Sequence, residues 1–343
     1  VDFRKMNILS NKMEFKDFTA GPDDKGRRLD KIIRIFLNNT PLTEIYKLLR
    51  KGLIKLNHKK AKPEARVEEG DVISIAEFIL KSETNPKISE TFQANTFNNS
   101  KLKIVFENEH LLIIDKPYDR TVHSKEDGIY KDVLFYLENK ESCNCSNNTK
   151  LEKSLSFKPG PLHRLDRRTT GLLVFSKSIE GARWFSEGIR NHTIHKKYYG
   201  LAQGELKEKE IWQDFLSDSE STSSEGFFTV EENEDGLKAE TQAIPVAIGK
   251  HNDKSFTLIE YSIKTGRKHQ IRAQSALHKH PLAGDTAYGG QKQKDFKREF
   301  YLQAFSLSFP SDNPLNLPTE IKISLSSDFI QALKYCEIIN PGL

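Results

Sequence analysis

The stretch His163-Arg164-Leu165-Asp166-Arg167-Arg168-Thr169-Thr170-Gly171-Leu172-Leu173-Val174 constrains this chain more than any other. It sets one carboxylate among three arginines, directly before a glycine turn and the apolar run Leu172 to Phe175. That run has the length of a strand and no polar interruption, which predicts a buried strand that fixes the loop ahead of it. An ionised aspartate beside a core is costly unless cations or hydrogen bonds hold it. Extended backbone from Pro161 to Asp166 would put His163 and Leu165 on one face, and Arg164 and Asp166 on the other. A bare Arg-Leu-Asp triplet would suit a surface turn; the full string instead suggests chemistry at Asp166.

With 343 residues the chain has room for about two domains. Its 36% hydrophobic and 29% charged residues fit a soluble globular protein. No apolar run approaches the ~18 residues of a membrane span. The start, Val1 to Met6, lacks the apolar core of a secretory signal, so a cytoplasmic location is expected. Cys143 and Cys145 stand two apart and Cys336 is remote; a lone pair of this kind lacks the second ligand pair of a zinc site, and reduced thiols are expected. The net charge is only +5, yet Lys25 to Arg66 holds 13 Lys and Arg against three acids, a local +10. Such concentration points to a polyanion partner.

Residues 1–24 form a polar extension. Leu29, Ile32, Ile33, Phe36 and Leu37 follow helical spacing, leaving Arg28, Lys31 and Arg34 largely off the apolar stripe. Thr43 is placed to cap a second helix carrying Ile45, Leu48 and Leu49, with Gly52 at its end. Leu53 to Asn57 and Val72 to Ile75 alternate as strands. Residues 25–77 therefore form one unit, 78–101 a linker, and 102–335 a second unit opened by a hairpin of Ile104–Glu107 and Leu111–Asp115. Within it, residues 136–158 and 217–236 have the composition of exposed loops. Glu231 to Gly236 loosely resembles the start of a calcium loop, but Gln242 stands where a bidentate glutamate is needed, so an acidic turn is expected.

Two resemblances bear on function. Arg28-Leu29-Asp30, Leu48 to Asn57 and Glu69 to Ile73 resemble the RNA-binding domain named after small-subunit ribosomal protein four. This implies that Arg28, Lys31, Lys47, Arg50 and Lys51 lie near RNA phosphates. The Asp166 string closely resembles the catalytic signature of the RluA-type RNA pseudouridine synthases. Three further segments match that family in order. They are Asp115 to His123, Lys196-Lys197-Tyr198-Tyr199-Gly200-Leu201, and Thr265 to Arg272 followed by His280 to Asp285 and Tyr288-Gly289. Asp119 replaces a family glycine, Lys268 a threonine, and Gln274 a histidine.

The resemblance implies an α+β protein whose catalytic domain has a mostly antiparallel central sheet. It implies isomerisation of uridine to pseudouridine, with ribosomal RNA of the large subunit, free or in a pre-ribosomal particle, as partner. It assigns Asp166 the catalytic carboxylate, Arg272 the cation beside it, and Tyr198 the ring that stacks on the target base and takes a proton late in the reaction. Alternation would send Tyr199 the other way, into a core. Arg164 is the candidate for filling the gap left by a flipped base or holding its phosphate. His163 is grouped with it as substrate-binding, orienting the loop from the structural face. An isomerisation needs no metal, redox agent or other cofactor, and a monomer suffices. A transfer-RNA synthase and a non-catalytic RNA-binding or ribosome-assembly protein are the alternatives.

Overall fold

In the N-terminal part, the helical spacing of Leu29, Ile32 and Ile33 becomes α1 (Leu29–Phe36), and all three side chains are fully buried. Helix α2 (Leu42–Lys51) buries Ile45, Leu48 and Leu49 against the same core and ends at Gly52, whose φ of 72° suits glycine. Its cap is Pro41 rather than Thr43, because the fixed φ of proline already fits a helix start. The computed structural model describes residues 13–37, 40–83, 102–124, 128–143, 155, 157–222 and 228–339. It divides the chain into one unit of residues 1–98 with 138–158 and another of 99–137 with 159–343.

Three strands complete the first unit: β1 (Phe15–Thr19), β2 (Ile54–Leu56) and β3 (Val72–Ala76), antiparallel in the order β1-β3-β2. Strand β1 falls within the expected N-terminal extension. It nevertheless pairs along its length with β3, from Phe15 opposite Ala76 to Thr19 opposite Val72. Helix α3 (Glu77–Glu83) follows β3 directly where a linker was expected; the rest of that linker lies outside the described residues. A second difference concerns residues 136–158. Their first part is the end of helix α4 (Ile129–Cys143), and Leu155 is buried in the core of α1, α2 and β3. Its N–H donates to Asp24 Oδ2 at 2.8 Å, and the same oxygen accepts the Gly21 N–H at 3.0 Å. A single apolar anchor in a polar stretch leaves no periodic trace, so the chain crosses between units more often than its composition suggests. Cys145 lies outside the described residues.

The second unit is built on one eleven-stranded sheet. Its strands are β4 (Lys103–Glu107), β5 (Leu111–Lys116), β6 (Gly160–Pro161), β7 (Thr170–Ser176), β8 (His195–Gln203), β9 (Glu210–Thr222), β10 (Phe228–Glu232), β11 (Leu237–His251), β12 (Lys254–Ile263), β13 (Leu302–Ser308) and β14 (Glu320–Lys322). The main path runs β10-β9-β11-β12-β8-β13-β7-β5-β4, with β6 on β7 and β14 on β13; among the described residues only β7 and β13 pair in parallel. Helices α5 (Ile179–Arg190), α6 (Gln270–Leu277) and α7 (Ser327–Tyr335) complete it. Leu173 and Phe175 of β7 enter one core with Trp212, Tyr261 and Ile271, while Leu172 and Val174 enter another with Phe185. Cover on both faces explains the unbroken apolar run. Gly171, at φ 107°, is the second residue of β7 and lies beside β13, where any side chain would collide with the Ala304 carbonyl.

Residues 217–236, expected as a loop, are largely the β9–β10 hairpin; 223–227 lie outside the described residues. Its inward positions Trp212, Asp214, Leu216 and Val230 are buried, but the serines and acids farther along hide that alternation. The acidic turn after β10 is closed by the Asn233 side chain accepting the Asp235 N–H at 3.0 Å. Cys336 and Ile338, beyond the expected boundary at 335, are buried in the second unit. Among the described residues no helix is long and apolar enough to cross a membrane.

Candidate active site

Asp166 sits in the loop between β6 and β7, with its side chain 17% exposed. It lines a pocket with Arg164, Lys196, Tyr198, Arg267, His269 and Arg272, among others. Two clamps hold this loop. The buried Lys116 ammonium donates to the carbonyls of Pro117, Arg120 and Arg167 at 3.0, 2.8 and 2.9 Å. Three carbonyls take all three ammonium hydrogens, although burial pulls Lys116 down to about 7. The second clamp is Asp119, which pairs with Arg167 at 2.8 Å. Asp119 adopts the left-handed conformation, φ 57°, that the glycine it replaces would adopt freely; aspartate is among the few residues that tolerate it.

His163 and Leu165 turn to the core side of the loop. His163 Nε2 accepts the Val174 N–H at 3.2 Å and its ring stacks on Phe185. Burial pulls this imidazole down to about 3, so it is neutral, as an acceptor nitrogen requires. It anchors the loop to β7, the orienting role expected of it, and it also lines the Asp166 pocket. Arg164 is exposed at the pocket.

Arg272, on α6, is buried rather than a surface helix arginine. Its Nη1 lies 4.0 Å from Asp166 Oδ2. Its fork, however, grips Asp285: Nε and Nη2 donate to the two Asp285 oxygens at 2.7 Å each. The guanidinium also packs over the rings of Tyr288 and Phe300 at 4.8 and 4.6 Å. Burial would lower Arg272, but the Asp285 bonds and charge outweigh it and hold the cation. Sequence reasoning missed His269, whose Nε2 lies 3.8 Å from Asp166 Oδ1 and whose Nδ1 is 2.8 Å from the Tyr288 hydroxyl. Burial lowers His269 despite Asp166. Alternation along β8 places Tyr198 in the pocket, 5% exposed, and Tyr199 on the opposite face, stacked on Phe305 at 3.8 Å. Burial first, and then Asp166, push the Tyr198 phenol upward, so it is neutral.

The other two motif departures also resolve. Gln274 is fully buried, accepting from the Thr241 hydroxyl and donating to Asp214, both at 2.6 Å. Lys268 pairs with Asp218 at 2.9 Å. Among the described residues no group of three or more His, Cys, Asp or Glu is arranged to hold a metal.

The first unit carries a groove of about 940 Å³ lined by Arg27, Arg28, Lys31, Arg34, Arg66 and Lys158, among others. Of the residues picked from sequence, Arg28 and Lys31 line it, whereas Lys47, Arg50 and Lys51 do not. Arg28 forks Asp30 at 3.1 and 2.8 Å. Burial would raise the Asp30 carboxyl, but bonds from Arg28 and Tyr46 lower it overall. Lys47 pairs with Glu44 at 3.0 Å.

The RNA pseudouridylate synthase family matches residues 110–277, and the S4 domain matches residues 27–73. A Haemophilus influenzae protein named ribosomal large subunit pseudouridine synthase C is 30% identical over 310 residues, 88% of each chain. The chain belongs to the RNA pseudouridylate synthase family. A Vibrio cholerae relative of the same name is 28% identical over 303 residues, covering 88% of this chain and 89% of its own. Human RNA pseudouridylate synthase domain containing 4 shares the fold, with TM-score 0.52 and 21% identity over 68% of this chain and 93% of that one. As a pseudouridylate synthase the protein isomerises uridine in RNA, and its S4 domain makes RNA the partner.

Proposed function

We propose that this synthase modifies large-subunit ribosomal RNA and that Asp166 is its catalytic carboxylate. The observation that carries the assignment is one carboxylate at a pocket bordered by Arg272, His269 and Tyr198. The reaction breaks the bond from base N1 to the ribose, turns the uracil, and joins C5 to the ribose. One proton leaves C5 and one is gained at N1, so substrate and product are isomers. Asp166 acts as nucleophile or as general base, and either role needs the ionised form. Arg272, held by Asp285, keeps a fixed positive charge 4.0 Å from that carboxylate. Tyr198, as a neutral phenol, offers a ring face to the base. The base must leave its stack to reach this pocket.

The ribosomal substrate is supported by the names of the relatives and by the S4 domain. Pseudouridine maps of total RNA with and without this gene test it. Loss of signal in large-subunit RNA is expected. Loss in transfer RNA alone would reassign the substrate, and no loss would favour a non-catalytic RNA-binding protein.

The groove of the first unit is proposed to hold RNA phosphates. Replacing Lys31 and Arg34 by alanine together should weaken RNA binding and lower the log–log salt slope by about 1.5 units, the share of two phosphate contacts. Binding measured across a salt series checks this; an unchanged slope would make the groove a solvated face.

A further inference from the structure

Strand β8 carries two consecutive lysines with opposite surroundings. Lys197 faces one side of the sheet and pairs with Glu260 at 2.9 Å. Lys196 faces the other, the side of Tyr198, and is only 8% exposed. Its cross-strand neighbours are Ile263 on β12 and Leu307 on β13. Both are apolar, so the surroundings are those of a core position, where lysine is rarely found without a partner. Among the described residues no hydrogen bond or ion pair reaches the Lys196 ammonium. Burial pulls it down to about 8, and no neighbouring charge raises it again. Among the described residues Asp166 pairs within 4.0 Å with His269 and Arg272 and not with Lys196.

The ammonium is not sealed. Lys196 lines the same pocket as Asp166. Beside it the chain has Gly266, where even a Cβ would come within 3.7 Å of Nζ. The missing side chain leaves space over the charge. The loop is held there by Gln270, whose Oε1 accepts from the Thr265 hydroxyl at 2.7 Å and the Arg267 N–H at 3.0 Å. A buried cation with room beside it lacks an anion. Uracil and ribose are uncharged, so the anion that a uridine brings in is its phosphodiester.

We propose that Lys196 receives a backbone phosphate adjoining the flipped uridine and thereby positions the ribose against Asp166. This deepens the reading of the pocket as the uridine site and rests on it. The ion pair forms only when RNA is bound, in a site poor in water, where a charge-assisted bond is strong.

The test is a cycle between protein and RNA. A short cognate stem-loop is made with the phosphate 5′ or 3′ of the target uridine replaced, one at a time, by an uncharged methylphosphonate. Lys196→Met keeps the stem and removes the charge. It should lower kcat/KM on the order of 30-fold or more, mainly through KM, the scale for removing one partner of a buried charge pair. One methylphosphonate should cost the wild-type protein a similar factor and cost Lys196→Met less than threefold. That pattern also separates backbone phosphate from captured free phosphate. The variant should melt at or above the wild-type temperature, since an uncompensated buried charge is gone. Should Lys196→Met fail to fold, Gly266→Val, which fills the space over the ammonium, must show the same coupling. If both methylphosphonates cost variant and wild type equally, the proposal is overturned. Wild-type turnover on the unmodified stem-loop, absent in Asp166→Asn, is the control. Its failure would refute the reading of the pocket, whereas intact controls without coupling would refute only the role of Lys196.

Discussion

Asp166→Asn is expected to remove turnover, by on the order of 10⁴-fold or more, while leaving the protein folded and able to bind RNA. Losses of that size follow removal of a catalytic group. Asparagine has nearly the shape of aspartate, and among the described residues Asp166 makes no ion pair shorter than 3.8 Å that the fold would miss. The amide can neither attack carbon nor accept a proton, so both versions of the chemistry fail. Asp115 and Asp119 are the controls. Asp115 pairs with Lys103 at 2.9 Å, across the β4–β5 hairpin. Asp119 holds a left-handed turn, which asparagine does equally well, and its pair with Arg167 is half exposed and contributes little. Their asparagine variants should lose less than tenfold in single-turnover assays. A comparable loss in all three would mean that the substitutions damage the loop rather than the chemistry.

Asp285→Asn is expected to damage both stability and activity, although the motif alone would place Asp285 in a structural turn. Asp285 is 2% exposed and holds both arms of the Arg272 fork. Its loss leaves a buried guanidinium without its counter-charge, which costs about 3–5 kcal/mol when one partner of such a pair is removed. The melting temperature should fall by several degrees or more. The fork also sets Arg272 against Asp166, and a shift of about 1 Å in such a group can cost roughly 10²-fold. Arg272→Lys should lose activity on the same scale, because an ammonium cannot bridge both Asp285 oxygens in one plane. RNA affinity should change little in Arg272→Lys, since the charge is kept. Near-normal turnover in both variants would show that Asp166 does not depend on this clamp.

The β7 strand was legible because its signal is local: an apolar run bounded by a glycine that the Ala304 carbonyl makes obligatory. Tyr198 and Tyr199 separated correctly for the same kind of reason, since the two-residue period of a strand fixes opposite faces. What escaped sequence reasoning depends on partners far along the chain. Arg272 stands beside Asp166 as expected, yet its fork belongs to Asp285, on a different loop, which the motif did not mark. His269 reaches Asp166 from a left-handed position ahead of α6, which no periodicity marks. Leu155 and β1 join a core built mainly by residues 29–79, from stretches whose composition is that of loop or tail. In the first unit, clustering of charge marked the basic face correctly. It could not separate lysines that line the groove from Lys47, which a neighbouring glutamate neutralises.

The central claim is that Asp166 turns uridine into pseudouridine in large-subunit ribosomal RNA. Pseudouridine mapping in cells lacking this gene, complemented with either the wild-type protein or Asp166→Asn at equal abundance, tests it most directly. The wild-type protein should restore the missing signals in large-subunit RNA, and Asp166→Asn should restore none. Restoration by both proteins, to within tenfold in rate, would contradict the account.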